Sequence, residues 1–231
     1  MLEVELSAKH RKVYDTYLHR ERSKVLGLLD DMDGNRFEIF RSLTLLRQAA
    51  LDVGLVDAAH AGVASTKLEL LSEMVEDVVA EGHKVLIFSQ FTRFLRSATA
   101  IIERLGIPVS YLDGTTKDRQ GAIQEFREGD AQVFLISLKA GGFGLNLTEA
   151  DYCILLDPWW NPATEAQAVD RAHRIGQTKN VMVYRLVAKD TIEEKVMAMK
   201  AKKAALFDDV INSGELSQGG LSAQDIRSLL S

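Results

Sequence analysis

Residues 165–179 read EAQAVDRAHRIGQTK, with Arg171 and Arg174 three positions apart and Gln167, His173 and Gln177 around them. On a helix, arginines at that spacing share one face. The planar guanidinium donates paired hydrogen bonds and keeps its charge at any physiological pH, which suits it to gripping phosphate. The same charges could instead pair with Glu165 or Asp170 as a solvated helix face, the usual fate of surface arginines. His173 has no second histidine, cysteine or carboxylate at a metal-ligand spacing, so no metal site is expected.

Four further polar clusters each follow an apolar run. In FSQF, Ser89 and Gln90 stand where a helix N-terminus could present donors to a phosphate, or could simply cap that helix. In LDGTTKDRQ, Asp113-Gly114 marks a turn, and Thr115 or Thr116 can serve either as a cap or as a phosphate donor. SLKAGGFGLNL combines the close backbone approach of Gly141, Gly142 and Gly144 with the polar reach of Ser137, Lys139 and Asn146. A dinucleotide loop is not indicated there, because Leu147 stands where the third glycine of such a loop belongs. LDPWWNPA places Trp159 and Trp160 in a loop. One is expected to pack inward, and the other, Trp160, to meet a base, a sugar or a partner.

The elements that must hold these clusters alternate. After the short run LEVEL, Ser7 is a plausible N-cap for a helix reaching about residue 30, and a second helix is expected over 35–50. VGLVDAAHAGVAS reads as a linker. From residue 65 onward, helices expected near 66–81, 92–105 and 117–127 alternate with the strand-like runs KVLIFS, PVSYL, QVFLIS, YCILLD and NVMVYRLV, and a long helix over 190–212 closes the series. Continuous apolar strands between helices predict an α/β fold, a parallel sheet with helices on both faces. In such sheets ligands bind beyond the carboxyl ends of the strands, where every cluster above falls.

Composition narrows the setting. Of 231 residues, 46% are hydrophobic and 26% charged, enough to bury a sizeable core. The net charge of −5 requires any polyanion site to be local, and residues 171–203 supply such an island, with nine Lys or Arg against three Asp or Glu. A single cysteine, Cys153, lies in an apolar run and is expected to be a buried thiol in a reducing compartment. No apolar stretch approaches the ~20 residues that span a bilayer, and the N-terminus lacks a secretory pattern, so an intracellular protein is expected, with no membrane partner. The phosphate-cradling pattern G-x-x-x-x-G-K-[ST] is absent, as is an acidic box after a strand that could hold magnesium. Arginines without a cradle make half of a phosphoryl-transfer site.

Taken together, KVLIFSQFT, YLDGTT, SLKAGGFGLNLTEAD, DPWWNPA and QAVDRAHRIGQ closely resemble motifs IV to VI of the C-terminal motor lobe of SWI/SNF-type ATPases of helicase superfamily two, over nearly the whole chain. The resemblance implies a RecA-like lobe of the P-loop NTPase type, spanning 67–189. A helical segment and linker from the first lobe would precede it at 1–66, and a brace helix with a tail would follow at 190–231. It implies ATP with Mg2+ held mainly by a first lobe that this chain lacks. Arg171 and Arg174 would be arginine fingers, and Gly144 and Gln167 would shape the nucleotide side. Ser89, Gln90, Gly114, Thr115, Ser137, Lys139, Gly141, Gly142 and Asn146 would track the phosphates of double-stranded DNA, with Trp160 near the minor groove. The implied partners are duplex DNA, the first lobe, and a DNA-bound protein such as RNA polymerase; the implied state is a monomer. Leu46-Arg47-Gln48 matches the family linker but AALDVG departs from it, which fits bacterial or archaeal members better than eukaryotic remodellers. Location would be cytoplasmic and nucleoid-associated in a prokaryote, nuclear in a eukaryote. Two other readings stay open at this point: a non-catalytic docking module derived from such a lobe, and part of a strand-separating helicase.

Overall fold

The computed structural model describes residues 1–138, 140, 147–159, 180–213 and 221–231, with 203–213 as helical backbone. They form two compact units. One comprises Met1–Val4 and Ser65–Val187; the other comprises Glu5–Ala64 and Ala188–Ser231. The segments expected to precede and follow the α/β lobe therefore belong to one unit, although 123 residues of the first unit separate them in the chain.

The first unit is built on a six-stranded sheet. Its strands are β1 (Leu2–Val4), β2 (Val85–Ser89), β3 (Val109–Leu112), β4 (Val133–Ser137), β5 (Tyr152–Leu155) and β6 (Met182–Ala188), in the order β1-β6-β5-β2-β4-β3. Strands β6, β5, β2, β4 and β3 pair in parallel. All residues of β2 and β4 are buried, as continuous apolar runs covered on both faces must be. Register aligns the carboxyl ends, with Ser89 opposite Ser137 and Leu112 opposite Ile136. The chain crosses over β2 between β4 and β5, so the strand order reverses beside β2, and the ends of β2, β4 and β5 meet there.

Three helices of this unit are α3 (Thr66–Ala80), α4 (Thr92–Arg104) and α5 (Arg119–Glu128). Phe126 of α5 joins Leu86, Phe88, Phe134, Ile136, Cys153 and Leu155 in one apolar cluster. Strand alternation turns Val85, Ile87 and Leu135 to the other face, where α3 and α4 bury Leu71, Val75, Phe94 and Ile102. Gly82, with φ of +83°, ends α3: its N–H reaches Val79 O and that of His83 reaches Val78 O, a Schellman closure. Cys153 is buried and forms no disulfide.

The second unit holds α1 (Ala8–Leu26), α2 (Arg36–Leu51), α6 (Ile192–Ser213) and α7 (Ala223–Leu229). Ser7 caps α1 by accepting from His10 N–H. The expected loop at 52–64 contains two short 3-10 turns, each started by an aspartate accepting from the backbone two residues on, Asp52 from Gly54 and Asp57 from Ala59. Distant chain segments are tied by Tyr14, fully buried, whose hydroxyl accepts Ile192 N–H at 2.7 Å, and by Arg11, which donates to Lys189 O and Asp190 O. Asp190 holds a left-handed φ of 55° there. α7 begins with a capping box between Ser222 and Asp225. Among the described residues no helix is long and apolar enough to cross a membrane.

Candidate nucleic-acid interface

The carboxyl edge of the sheet is organised by two buried carboxylates. Asp157 follows β5 and is 3% exposed. Its Oδ1 accepts the Ser89 hydroxyl at 2.5 Å, its Oδ2 accepts the Gln90 side-chain amide at 2.6 Å, and the Gln90 backbone N–H points at both oxygens. The loop after β5 is thus fastened to the loop after β2. Ser89 is completely buried, Gln90 half-buried, and both polar side chains face Asp157. Trp159, half-buried, packs against the apolar cluster.

Asp113 follows β3 and is 2% exposed. Its Oδ1 accepts the Thr115 N–H at 2.7 Å and the Thr115 hydroxyl at 2.6 Å, while its Oδ2 accepts the Tyr111 hydroxyl at 2.9 Å and Arg96 Nη2 at 3.2 Å. The Thr116 hydroxyl accepts the Asp113 N–H. Burial by itself would raise the Asp113 carboxyl pKa. The hydrogen bonds from Thr115, Tyr111 and Arg96 outweigh it and hold the group well below the usual carboxylate range. The result is a rigid turn with Gly114 and Thr115 exposed at its tip. A Cβ placed on Gly114 would meet no atom within 4 Å, and its φ is not positive. Nothing within the fold calls for glycine there; what glycine leaves is open room for another backbone.

Ser137 ends β4, buried, with its carbonyl accepting Ala140 N–H. Arg119 Nη2 donates to Ala140 O at 2.6 Å, joining the start of α5 to the loop after β4. Behind this edge lies Lys67, 1% exposed, whose Nζ donates to Leu156 O at 2.6 Å and Leu186 O at 2.9 Å. A buried ammonium is tolerable only with such partners, and here it clips the ends of β5 and β6 together.

The structure therefore gathers Ser89, Gln90, Gly114, Thr115 and Ser137 along one edge of the sheet, with Gly114 and Thr115 outermost. Lys139, Gly141, Gly142, Gly144, Asn146, Trp160, Gln167, Arg171 and Arg174 lie outside the described residues. No group of three or more His, Cys, Asp or Glu placed to hold a metal ion occurs among the described residues. Sequence reasoning passed over Asp157, Lys67, Arg96 and Tyr111 as site-forming residues. A carboxylate directly after a buried strand, as in LLDP and YLDG, was the one readable signal.

Residues 66–176 match the family described as the helicase conserved C-terminal domain. The chain is 44% identical over 170 residues, 72% of its length, to the Arabidopsis thaliana protein CHROMATIN REMODELING 24, of which it covers 16%. It spans less than a quarter of the length of the curated relatives it matches. Among solved structures it is similar to the Sulfolobus solfataricus SWI2/SNF2 ATPase core in complex with double-stranded DNA, with 30% identity, a TM-score of 0.74, and coverage of 99% of this chain and 48% of that one. It is also similar to the isolated C-terminal domain of that ATPase, with 28% identity, a TM-score of 0.70, and coverage of 99% and 95%. Likeness thus extends to plant and archaeal proteins alike, and the AALDVG departure ties the chain to neither lineage.

Proposed function

We propose, given that this chain belongs to the helicase conserved C-terminal domain family as an SNF2-type ATPase C-terminal lobe, that it is the second motor lobe of an ATP-dependent translocase on double-stranded DNA. The carrying observation is the Gly114-Thr115 turn, held from behind by Asp113 and open in front. With both Thr115 donors committed to Asp113, the exposed Gly114 backbone N–H at the tip is the donor offered to a phosphate, a contact that does not read sequence, which is what movement along a duplex requires. Likeness to a lobe solved with double-stranded DNA supports the same reading. Gly114 offers a direct contact, and Thr115 fixes the turn that presents it. Ser89 and Gln90 contribute by holding Asp157, and so the start of the DPWW loop, at this edge. Lys139, Gly141, Gly142, Asn146 and Trp160 extend the track.

The sequence has no P-loop pattern and the described residues hold no metal-ligating cluster, which supports a reading in which this lobe completes a nucleotide site rather than building one. ATP and its magnesium would sit on a partner lobe that carries a phosphate cradle. Arg171 and Arg174 would reach the γ-phosphate to stabilise its developing charge, a contribution worth about 10³ to 10⁵ in rate, with Gly144 and Gln167 shaping the nucleotide side. When the first lobe is joined to this one, Arg174→Ala should abolish DNA-stimulated hydrolysis, measured by phosphate release, and leave ATP affinity nearly unchanged. Equal loss of both would sink the finger assignment. Robust DNA-stimulated hydrolysis by the 231-residue chain alone would sink the split site.

A further inference from the structure

Arg96, on α4, lies outside every motif that carried the resemblance, yet it stands at the carboxyl edge of the sheet. Its side chain is 63% exposed. Its guanidinium is engaged from the side of the turn, by Tyr111 and by Asp113 and Thr115: Nη2 lies 3.2 Å from Asp113 Oδ2 and 3.5 Å from the Thr115 hydroxyl oxygen. Arg96 lines an open pocket of about 330 Å3 together with Thr99, Glu103, Tyr111, Asp113 and Thr116, so among the described residues its guanidinium is the one positive group there, beside two carboxylates.

We propose that Arg96 is a further nucleic-acid phosphate ligand, completing a two-residue clamp with Gly114; this rests on the DNA-binding reading above. Two alternatives for an exposed arginine are a stabilising ion pair and an idle solvated charge. Thr115 N–H, the Thr115 hydroxyl and the Tyr111 hydroxyl supply three of the roughly four hydrogen bonds the Asp113 oxygens accept, and Arg96 adds the fourth at 3.2 Å, the longest of the set. That bond occupies Nη2 and leaves most of the guanidinium exposed, more charge than one long bond to Asp113 requires. An idle charge would not have its fork fixed. Anchoring one prong on a buried carboxylate holds the guanidinium beside Thr115 and removes much of the side-chain entropy that a free arginine loses on binding. The rest of the fork is left to approach a phosphate that the Gly114 N–H contacts from the turn. Gly114, with open space where a Cβ would stand, gives that phosphate room to enter. Arg93, one helical turn earlier and also exposed, continues the basic face toward Gln90.

The test is fluorescence anisotropy of the 231-residue chain on a short labelled duplex, titrated with salt from roughly 50 to 200 mM. Each neutralised phosphate contributes about 0.9 to the slope of log Kobs against log salt. Arg96→Gln should weaken binding several-fold and lower that slope by about 0.9, with an unchanged melting temperature, whereas Arg96→Lys should keep the slope. A structural role would shift the melting temperature and leave the slope alone. If the unsubstituted chain binds with a salt-dependent slope and Arg96→Gln leaves it unchanged, the clamp is overturned while the DNA-binding reading stands. An Arg96→Lys slope as low as that of Arg96→Gln overturns it as well. If the unsubstituted chain shows no salt-dependent binding at all, the DNA-binding reading itself falls.

Discussion

At the residue scale, the two edge carboxylates do different work from the side chains that first draw notice. Asp113 and Asp157 are both nearly fully buried, and each converts a flexible loop into a fixed one by accepting several hydrogen bonds. Asp113 carries a pH consequence. Because hydrogen bonds keep its folded-state pKa below the unfolded value of about 3.9, its charge stabilises the fold above that pH, and the contribution is lost as acid protonates it. Asp113→Asn should therefore lower stability at pH 7 by about 1–2 kcal/mol, a gap that closes as pH falls from about 5 toward 2, followed by urea unfolding at each pH. Sequence spacing pointed to Ser89 and Gln90 but could not show their orientation. Asp157 stands 68 positions after Ser89, and nothing local links them. A serine ending a strand looks the same in sequence whether it faces a ligand or a buried carboxylate.

At the scale of elements, periodicity located the helices and strands of the described residues to within a few positions, because amphipathic and fully buried runs carry distinct patterns. The helix expected over 165–179 lies outside those residues. Boundaries were set by chemistry that spacing under-determines. Asp118 caps α5 by accepting from Gly121 N–H, so the helix starts at Arg119 rather than near 117. Two glycines show why residue type alone does not reveal purpose. Gly82 holds a φ of +83° that closes α3, whereas Gly114 has an ordinary backbone and empty space beside it. Gly82→Ala should cost about 1 kcal/mol, seen as a lower urea midpoint with an unchanged m-value. Gly114→Ala should leave that midpoint in place.

At the scale of the whole molecule, the α/β character was readable from alternation, but the division into units was not. The sequence suggests three successive segments, while the helices before and after the sheet share one unit. Such closure depends on contacts like Tyr14 with Ile192, which are 178 positions apart and leave no local trace. A chain ended at Val187 should keep amide-exchange protection in β2 and β4 and lose it in α1 and α2, because Tyr14 would lose its bond to Ile192 and α2 would lose its packing against α6. Retained protection of α1 and α2 in that chain would contradict the shared unit.

That closure also sets an order in time. Helices α1 and α2 leave the ribosome before their partners, which follow only after the 123 intervening residues of the first unit. At 5–20 residues per second, that is a wait of roughly 6–25 s. During synthesis the sheet can assemble while α1 and α2 carry uncovered apolar faces, which makes them the stretch a chaperone would meet and the last part of the nascent chain to lock.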